Sequence, residues 1–181
     1  MPSAPLRSFF ILLFLGAALL TLALVVRSGL LARRNPGQPM SAEMRESMQP
    51  ASRRLTATEE LTVAKDFPGA VATPSGLRYT VQTPGSGPVP HPGQTLTVNY
   101  AGRLLDGTPF DSTAKHGRPF TFNVGAGLVI SGWDEAFATM TKGEKRTLIV
   151  PWWLAYGEDG RPPIIPPRAT LVFDVELLDI R

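Results

Sequence analysis

Apolar residues follow three rhythms along this chain, and each predicts a different element. From Phe9 to Val26 they run unbroken, 18 residues without a charge. From Thr95 to Tyr100 they alternate strictly, placing Leu96, Val98 and Tyr100 on one face of a half-buried strand. The two-residue period returns in Phe120–Val124 and in Thr170–Leu178. In the latter, Leu171, Phe173, Val175 and Leu177 share a face while Asp174 and Glu176 point away. Lys145–Val150 reads as a further strand. Trp133, Ala136, Phe137 and Met140 recur at helical spacing, with Asp134 and Glu135 in the first turn and Lys142-Gly143 at the end. Asp106-Gly107 supplies a turn before Phe110.

One short helix beside four to six antiparallel strands implies an α+β domain, with the sheet wrapped on the helix. The stretch from Ser75 to Arg181 is long enough for its own core. Seven large aromatics converge on that helix and one sheet face. An ordinary core of this size would be overfilled by them, so some are expected to line a concavity. Pro and Gly make 35 of the 181 residues, which fits many turns, and no repeating period accompanies them.

The unbroken apolar run would span roughly 27 Å as a helix, close to the hydrocarbon thickness of a bilayer. It exceeds a secretory core of about 7–15 residues. The nearby Val26-Arg27-Ser28 and Leu30-Leu31-Ala32 are poor cleavage sites. The expected organisation is a single-pass transmembrane anchor (or signal segment) in residues 1–30, a polar, proline-containing linker in 31–74 and the folded domain in 75–181. Within the linker, helical stretches are expected at Ser41–Met48 and at Thr58–Lys65, the latter capped by Thr58. The linker reads as a tether or a dimerisation arm. Arg27, Arg33 and Arg34 after the run outnumber Arg7 before it, which by the positive-inside rule argues for a cytoplasmic domain. The very short N-terminal tail argues for export, and the expectation is a periplasmic or otherwise extracytoplasmic domain.

Charge removes a different class of function. Before Ser75 there are eight Lys/Arg against five Asp/Glu; from Ser75 onward there are ten of each. The excess of +3 and the basic pI of 9.6 therefore come from the N-terminal segment, and the domain has no basic face for nucleic acid. With no cysteine, disulfides and thiolate chemistry are excluded. His91 and His116 are isolated, one in a turn and one in a charged loop, and make a poor metal site. Ser131 lies in Ile130-Ser131-Gly132-Trp133, which lacks the elbow of a serine hydrolase. Neither a metal nor a cofactor is expected.

Three stretches in register resemble the FKBP-type prolyl isomerase family: VNYAGRLLDGTPFDST, PFTFNVGAGLVISGWDEAF, and AYG followed by PPIIPPRATLVFDVELL. The likeness runs from about Ser75 to Arg181. It implies a twisted antiparallel sheet curled around a short helix. It also implies that Tyr100, Phe110, Phe120, Val129, Ile130, Trp133 and Phe173 line a hydrophobic pocket with Trp133 as the floor. By the same resemblance the Ile130 N–H donates to the substrate carbonyl, Asp111 and the Tyr156 hydroxyl stand at the rim, and Ile164 and Ile165 overhang the site. The catalytic set so implied is Asp111, Tyr156, Ile130, Trp133 and Phe110. Expected partners are proline-containing polypeptide clients, macrolides of the rapamycin type, and a membrane through residues 9–26.

Two departures stand out. Trp152-Trp153-Leu154-Ala155 is one residue longer than in short family members, and Gly160-Arg161-Pro162-Pro163 replaces a His-Pro-Gly-like stretch. The first bears on the placement of Tyr156, the second on substrate preference. The competing reading is a chaperone-like module that grips proline segments without turnover.

Overall fold

The computed structural model describes residues 53–181. Among them, seven antiparallel strands form one sheet: β1 (Val71–Ala72), β2 (Arg78–Thr83), β3 (Thr95–Leu104), β4 (Pro109–Ser112), β5 (Phe120–Asn123), β6 (Lys145–Val150) and β7 (Leu171–Ile180). Their order is β1-β2-β6-β7-β3-β4, with β5 also paired to β3. The three alternating segments of the sequence and Lys145–Val150 are all strands. β1, β2 and β4 were not anticipated. β2 carries little periodic signal because its own residues are half-buried or exposed, and the apolar residue it brings inward, Leu77, lies just before it.

The long strand β3 is shared along one edge. Thr95–Val98 pairs with β5 and Ala101–Arg103 pairs with β4, leaving a gap between them. At Tyr100, next to that gap, the Thr113 hydroxyl takes the place of a strand partner. It accepts from the Tyr100 N–H (3.2 Å) and lies 3.3 Å from the Tyr100 carbonyl oxygen as donor. Thr113 opens a one-turn helix, α2 (Thr113–His116), stopped by Gly117 in the left-handed conformation. His116, expected in a loop, is on this helix.

Helix α3 (Ser131–Phe137) lies against the sheet face carrying Leu96, Val98, Leu148, Val150, Leu171, Phe173, Val175 and Leu177, all buried. Gly132 permits the close approach. A Cβ there would lie 2.5 Å from Val150 Cγ1. Complete burial of each large aliphatic side chain contributes about 1.5–3 kcal/mol. The helix is shorter than its apolar spacing suggests. It ends at Phe137, and Met140, although fully buried, follows in the next turn.

Within the domain the single expected helix is joined by the short α2, and the helical stretch expected at Thr58–Lys65 is present as α1 (Ala57–Asp66), ahead of the sheet. Its cap is Thr56, not Thr58. The Thr56 side chain accepts from the Glu59 N–H, and the Glu59 carboxylate accepts from the Thr56 N–H at 2.8 Å. Glu59 also accepts from the Thr170 hydroxyl (2.7 Å), Glu60 pairs with Arg78 (2.8 Å), and Val63 is buried. Ordered structure tied to the sheet thus begins ahead of Ser75. No helix among the described residues is long and apolar enough to cross a membrane. The Phe9–Val26 run and the Ser41–Met48 stretch lie outside the described residues.

Candidate active site

The concavity forms where the N-terminal end of α3 meets the edge of the sheet. Trp133, on the first turn of α3, is 5% exposed and meets five rings. Tyr100 and Phe173 lie 5.1 and 5.2 Å away, both close to perpendicular, and Phe137, Phe122 and Phe120 complete the set. Edge-to-face geometry suits the opposite charges of ring face and ring edge. Phe122 and Phe137 are buried behind the indole; Tyr100, Phe120 and Phe173 stand in front of it. The result is a cavity of about 500 Å³, a size common for small-ligand sites.

Nine of the eleven residues expected at the site line this cavity: Tyr100, Phe110, Asp111, Phe120, Val129, Ile130, Trp133, Tyr156 and Phe173. Ile164 and Ile165 do not. They line a smaller adjoining cavity, where Ile164 is half exposed and Ile165 is buried. Leu128, Ser131, Ala155 and Arg161 complete the main wall and were not in the expected set. Leu128 is the least buried large apolar residue here apart from Leu61, at 72% exposed, and its lack of a periodic partner hid it.

Local sequence explains how each wall is held. On β3, Gly102 is paired with both Asp111 and Phe173. A Cβ at Gly102 would sit 2.7 Å from two Phe110 ring atoms and 2.9 Å from Phe173, so only glycine lets these rings meet, 5.5 Å apart, over β3. The Gly125–Gly127 loop, which leads into Val129 and Ile130, is secured from α3. The Asp134 carboxylate accepts from the N–H groups of Gly125 (2.9 Å) and Gly127 (3.0 Å). Trp152–Leu154 forms a single 3₁₀ turn, closed by a bond from the Gly157 N–H to the Trp152 carbonyl (2.8 Å), and Tyr156 faces the cavity from its end. Trp153 donates from its indole to the Ser75 carbonyl (2.9 Å), which ties this turn to the start of the domain.

The polar groups at the site divide sharply. Asp111 is fully engaged, with Oδ2 accepting from the Tyr100 hydroxyl (2.7 Å) and Oδ1 contacting the Ser112 N–H (2.9 Å) and His116 Nε2 (2.8 Å). Burial alone would raise its pKa, but the bonds from Tyr100, His116 and Ser112 outweigh this and hold the carboxyl below its ordinary range. The Tyr100 hydroxyl is pushed far up, by burial first and then by its bond to the carboxylate, so it stays protonated. Three donors, in contrast, have no acceptor among the described residues: the Ile130 N–H, the Tyr156 hydroxyl and the buried Trp133 indole N–H. An arrangement of aromatic walls with unengaged donors, and a carboxylate already occupied, can hold a carbonyl-bearing apolar group. Nothing in it is placed to abstract a proton.

Comparison with known proteins gives a consistent result. Residues 87–178 match the family described as FKBP-type peptidyl-prolyl cis-trans isomerase. The chain is 48% identical over 122 residues to FK506-binding protein 4 of Dictyostelium discoideum, covering 66% of this chain and 33% of that one. It is 46% identical over 106 residues to FK506-binding protein 1 of the same organism, covering 59% of this chain and 99% of the relative. The chain thus spans a third of the first relative and nearly all of the second. The crystal structure of AtFKBP13 superposes with a TM-score of 0.59 at 37% identity, covering 62% of this chain and 98% of that one. The chain belongs to the FKBP-type peptidyl-prolyl cis-trans isomerase family.

Proposed function

We propose that the cavity over Trp133 accelerates rotation about X-Pro bonds in polypeptide clients. Rotation is slow because it breaks amide resonance, at a barrier of about 18–20 kcal/mol. No bond to a substrate atom is broken, so neither a nucleophile nor a metal is required. Catalysis needs only a surface that favours the twisted amide over the planar one. In the planar form the oxygen carries partial charge that water stabilises. An aromatic pocket removes that water and suits the less polar, twisted form.

The observation that carries this reading is the pairing of a ring-lined cavity with the unengaged Ile130 N–H and Tyr156 hydroxyl. In this reading the proline ring rests on Trp133, Ile130 donates to the substrate carbonyl, and Tyr156 holds the rotated geometry. Phe110, Phe120, Val129 and Phe173 exclude water. Asp111, through Tyr100, is a positioning residue. A 10⁵-fold acceleration corresponds to only about 7 kcal/mol of differential stabilisation. Two relatives are named for binding FK506, and a macrolide of that class would compete for the same rings.

The apolar run at 9–26 is read as a single-pass anchor that presents the domain outside the cytoplasm, on the sequence argument above. Protease accessibility in intact and in broken cells tests it. For the activity, exchange spectroscopy on a Leu-Pro peptide with the detergent-solubilised full chain should show faster isomerisation at micromolar protein. No acceleration, with retained peptide binding, would leave a proline-gripping module in its place.

A further inference from the structure

Beside the main cavity lies a second one of about 270 Å³, walled by Phe110, Ile164, Tyr156, Asp111, Lys115 and Arg161. Phe110, Asp111, Tyr156 and Arg161 line both, so the two spaces are continuous. A peptide with its proline on Trp133 would place a neighbouring side chain here. Resting on the functional reading above, we propose that this side cavity is a subsite for a carboxylate side chain adjacent to the isomerised proline, with Arg161 and Lys115 as its specificity residues.

The argument is one of charge left over. Ten Lys/Arg lie from Ser75 onward, and seven of them are within ion-pair distance of a carboxylate: Arg78, Arg103, Lys142, Lys145, Arg146, Arg168 and Arg181. Of the three that are not, two, Lys115 and Arg161, line this one cavity. The third is Arg118. Arg161 is nevertheless well placed. Its backbone pairs with Ile165 in both directions (2.8 and 3.0 Å), and its guanidinium stands 5.8 Å from the centre of the Tyr156 ring. The ring steers the guanidinium without neutralising it.

Asp111 is the carboxylate that shares the wall, and it does not quench these cations. Both its oxygens are turned to Tyr100, Ser112 and His116. Lys115 and Arg161 against the single Asp111 carboxylate leave the lining with a net positive charge. The apolar part of the wall, Phe110 and Ile164, suits the methylenes of a Glu, and the guanidinium fork matches its carboxylate.

The test uses the full chain in detergent and peptides with Glu, Gln or Lys placed either directly before or directly after proline. At low salt, kcat/KM for Glu should exceed that for Gln by roughly threefold to tenfold at one of the two positions, with Lys below Gln. The preference should shrink at high ionic strength. Arg161→Gln should bring the Glu-to-Gln ratio close to one, and Lys115→Gln should lower it, whatever either does to absolute rates. Equal rates for Glu and Gln at both positions, with neutral peptides still accelerated, would overturn the subsite alone. Failure to accelerate any peptide would overturn the isomerase reading on which it rests.

Discussion

The two sides of helix α3 treat polar groups in opposite ways. Past its C-terminal end, Glu144 and Arg146 are buried together and every group finds a partner. The Arg146 guanidinium pairs with Glu144, donates to the Thr139 hydroxyl (2.8 Å) and carbonyl (3.0 Å), and stacks 4.6 Å over the Tyr79 ring. The Glu144 carboxylate in turn accepts from the Thr141 N–H (2.9 Å) and hydroxyl (3.2 Å). At the N-terminal end, the Ile130 and Trp133 donors are left without acceptors. Buried polar groups are nearly always satisfied, and an unsatisfied one costs about 1–3 kcal/mol. One end of the helix is built to hold the fold; at the other, under the proposed function, the Ile130 N–H is the donor left for a ligand.

If that division is right, substitutions at the two ends should separate stability from activity. The largest effect on folding is expected from Arg146→Ala, which strands a buried carboxylate. Denaturant titration should show a loss of about 3–5 kcal/mol, while the remaining folded fraction turns over normally. A protein no less stable than wild type would break the comparison. At the other end, Phe110→Ala opens the cavity wall. Turnover of a Leu-Pro peptide should fall roughly tenfold to a hundredfold, against a stability loss near 1–2 kcal/mol for a half-buried ring. Proportionate losses would make Phe110 a core residue. Asp134→Ala releases the loop before Ile130 and should raise KM about threefold to tenfold with a smaller change in kcat.

The smallest effect is a pH dependence. The depressed Asp111 pKa means its network adds stability above the unfolded value of about 3.9, lost as pH falls through the folded one. Turnover should therefore hold through neutral pH and decline only below about pH 4. The raised Tyr100 pKa gives stability that is full below an unfolded value of about 10 and lost only at higher pH. Asp111→Asn should abolish the acid limb; an unchanged limb would assign it elsewhere.

What was legible in the sequence follows from what is local. Leu96, Val98 and Tyr100, and Leu171 through Leu177, declare their strand by alternation because one sheet face is wet and the other is packed on α3. Most of the cavity was readable through resemblance, since its rings sit in contiguous motifs. The cap of α1 is legible too, because Thr56-x-x-Glu59 is a local box, although Glu59 and Glu60 taken as first-turn acids point to Thr58 instead. The rest depends on distant pairs. Asp134 reaches back to Gly125 and Gly127, Glu59 meets Thr170, and Arg161 stands beside Lys115 only because α2 and the Gly157–Arg168 loop converge. Periodicity carries no record of such meetings.

The shared edge of β3 has a consequence for how this scaffold could be retuned. Because β4 and β5 both return to the same strand, the chain from Pro109 to Asn123 is a loop stapled at each foot, with the Thr113 hydroxyl as a third pin. The residues between the staples, Lys115 and His116 among them, can be exchanged without altering any strand pairing. That stretch borders the side cavity through Lys115 and is exposed from Ala114 to Pro119. Under the proposed function, exchanging Lys115 should change which clients are chosen, whereas Thr113, pinned to Tyr100, and His116, bonded to Asp111, are tied to the wall of the main cavity.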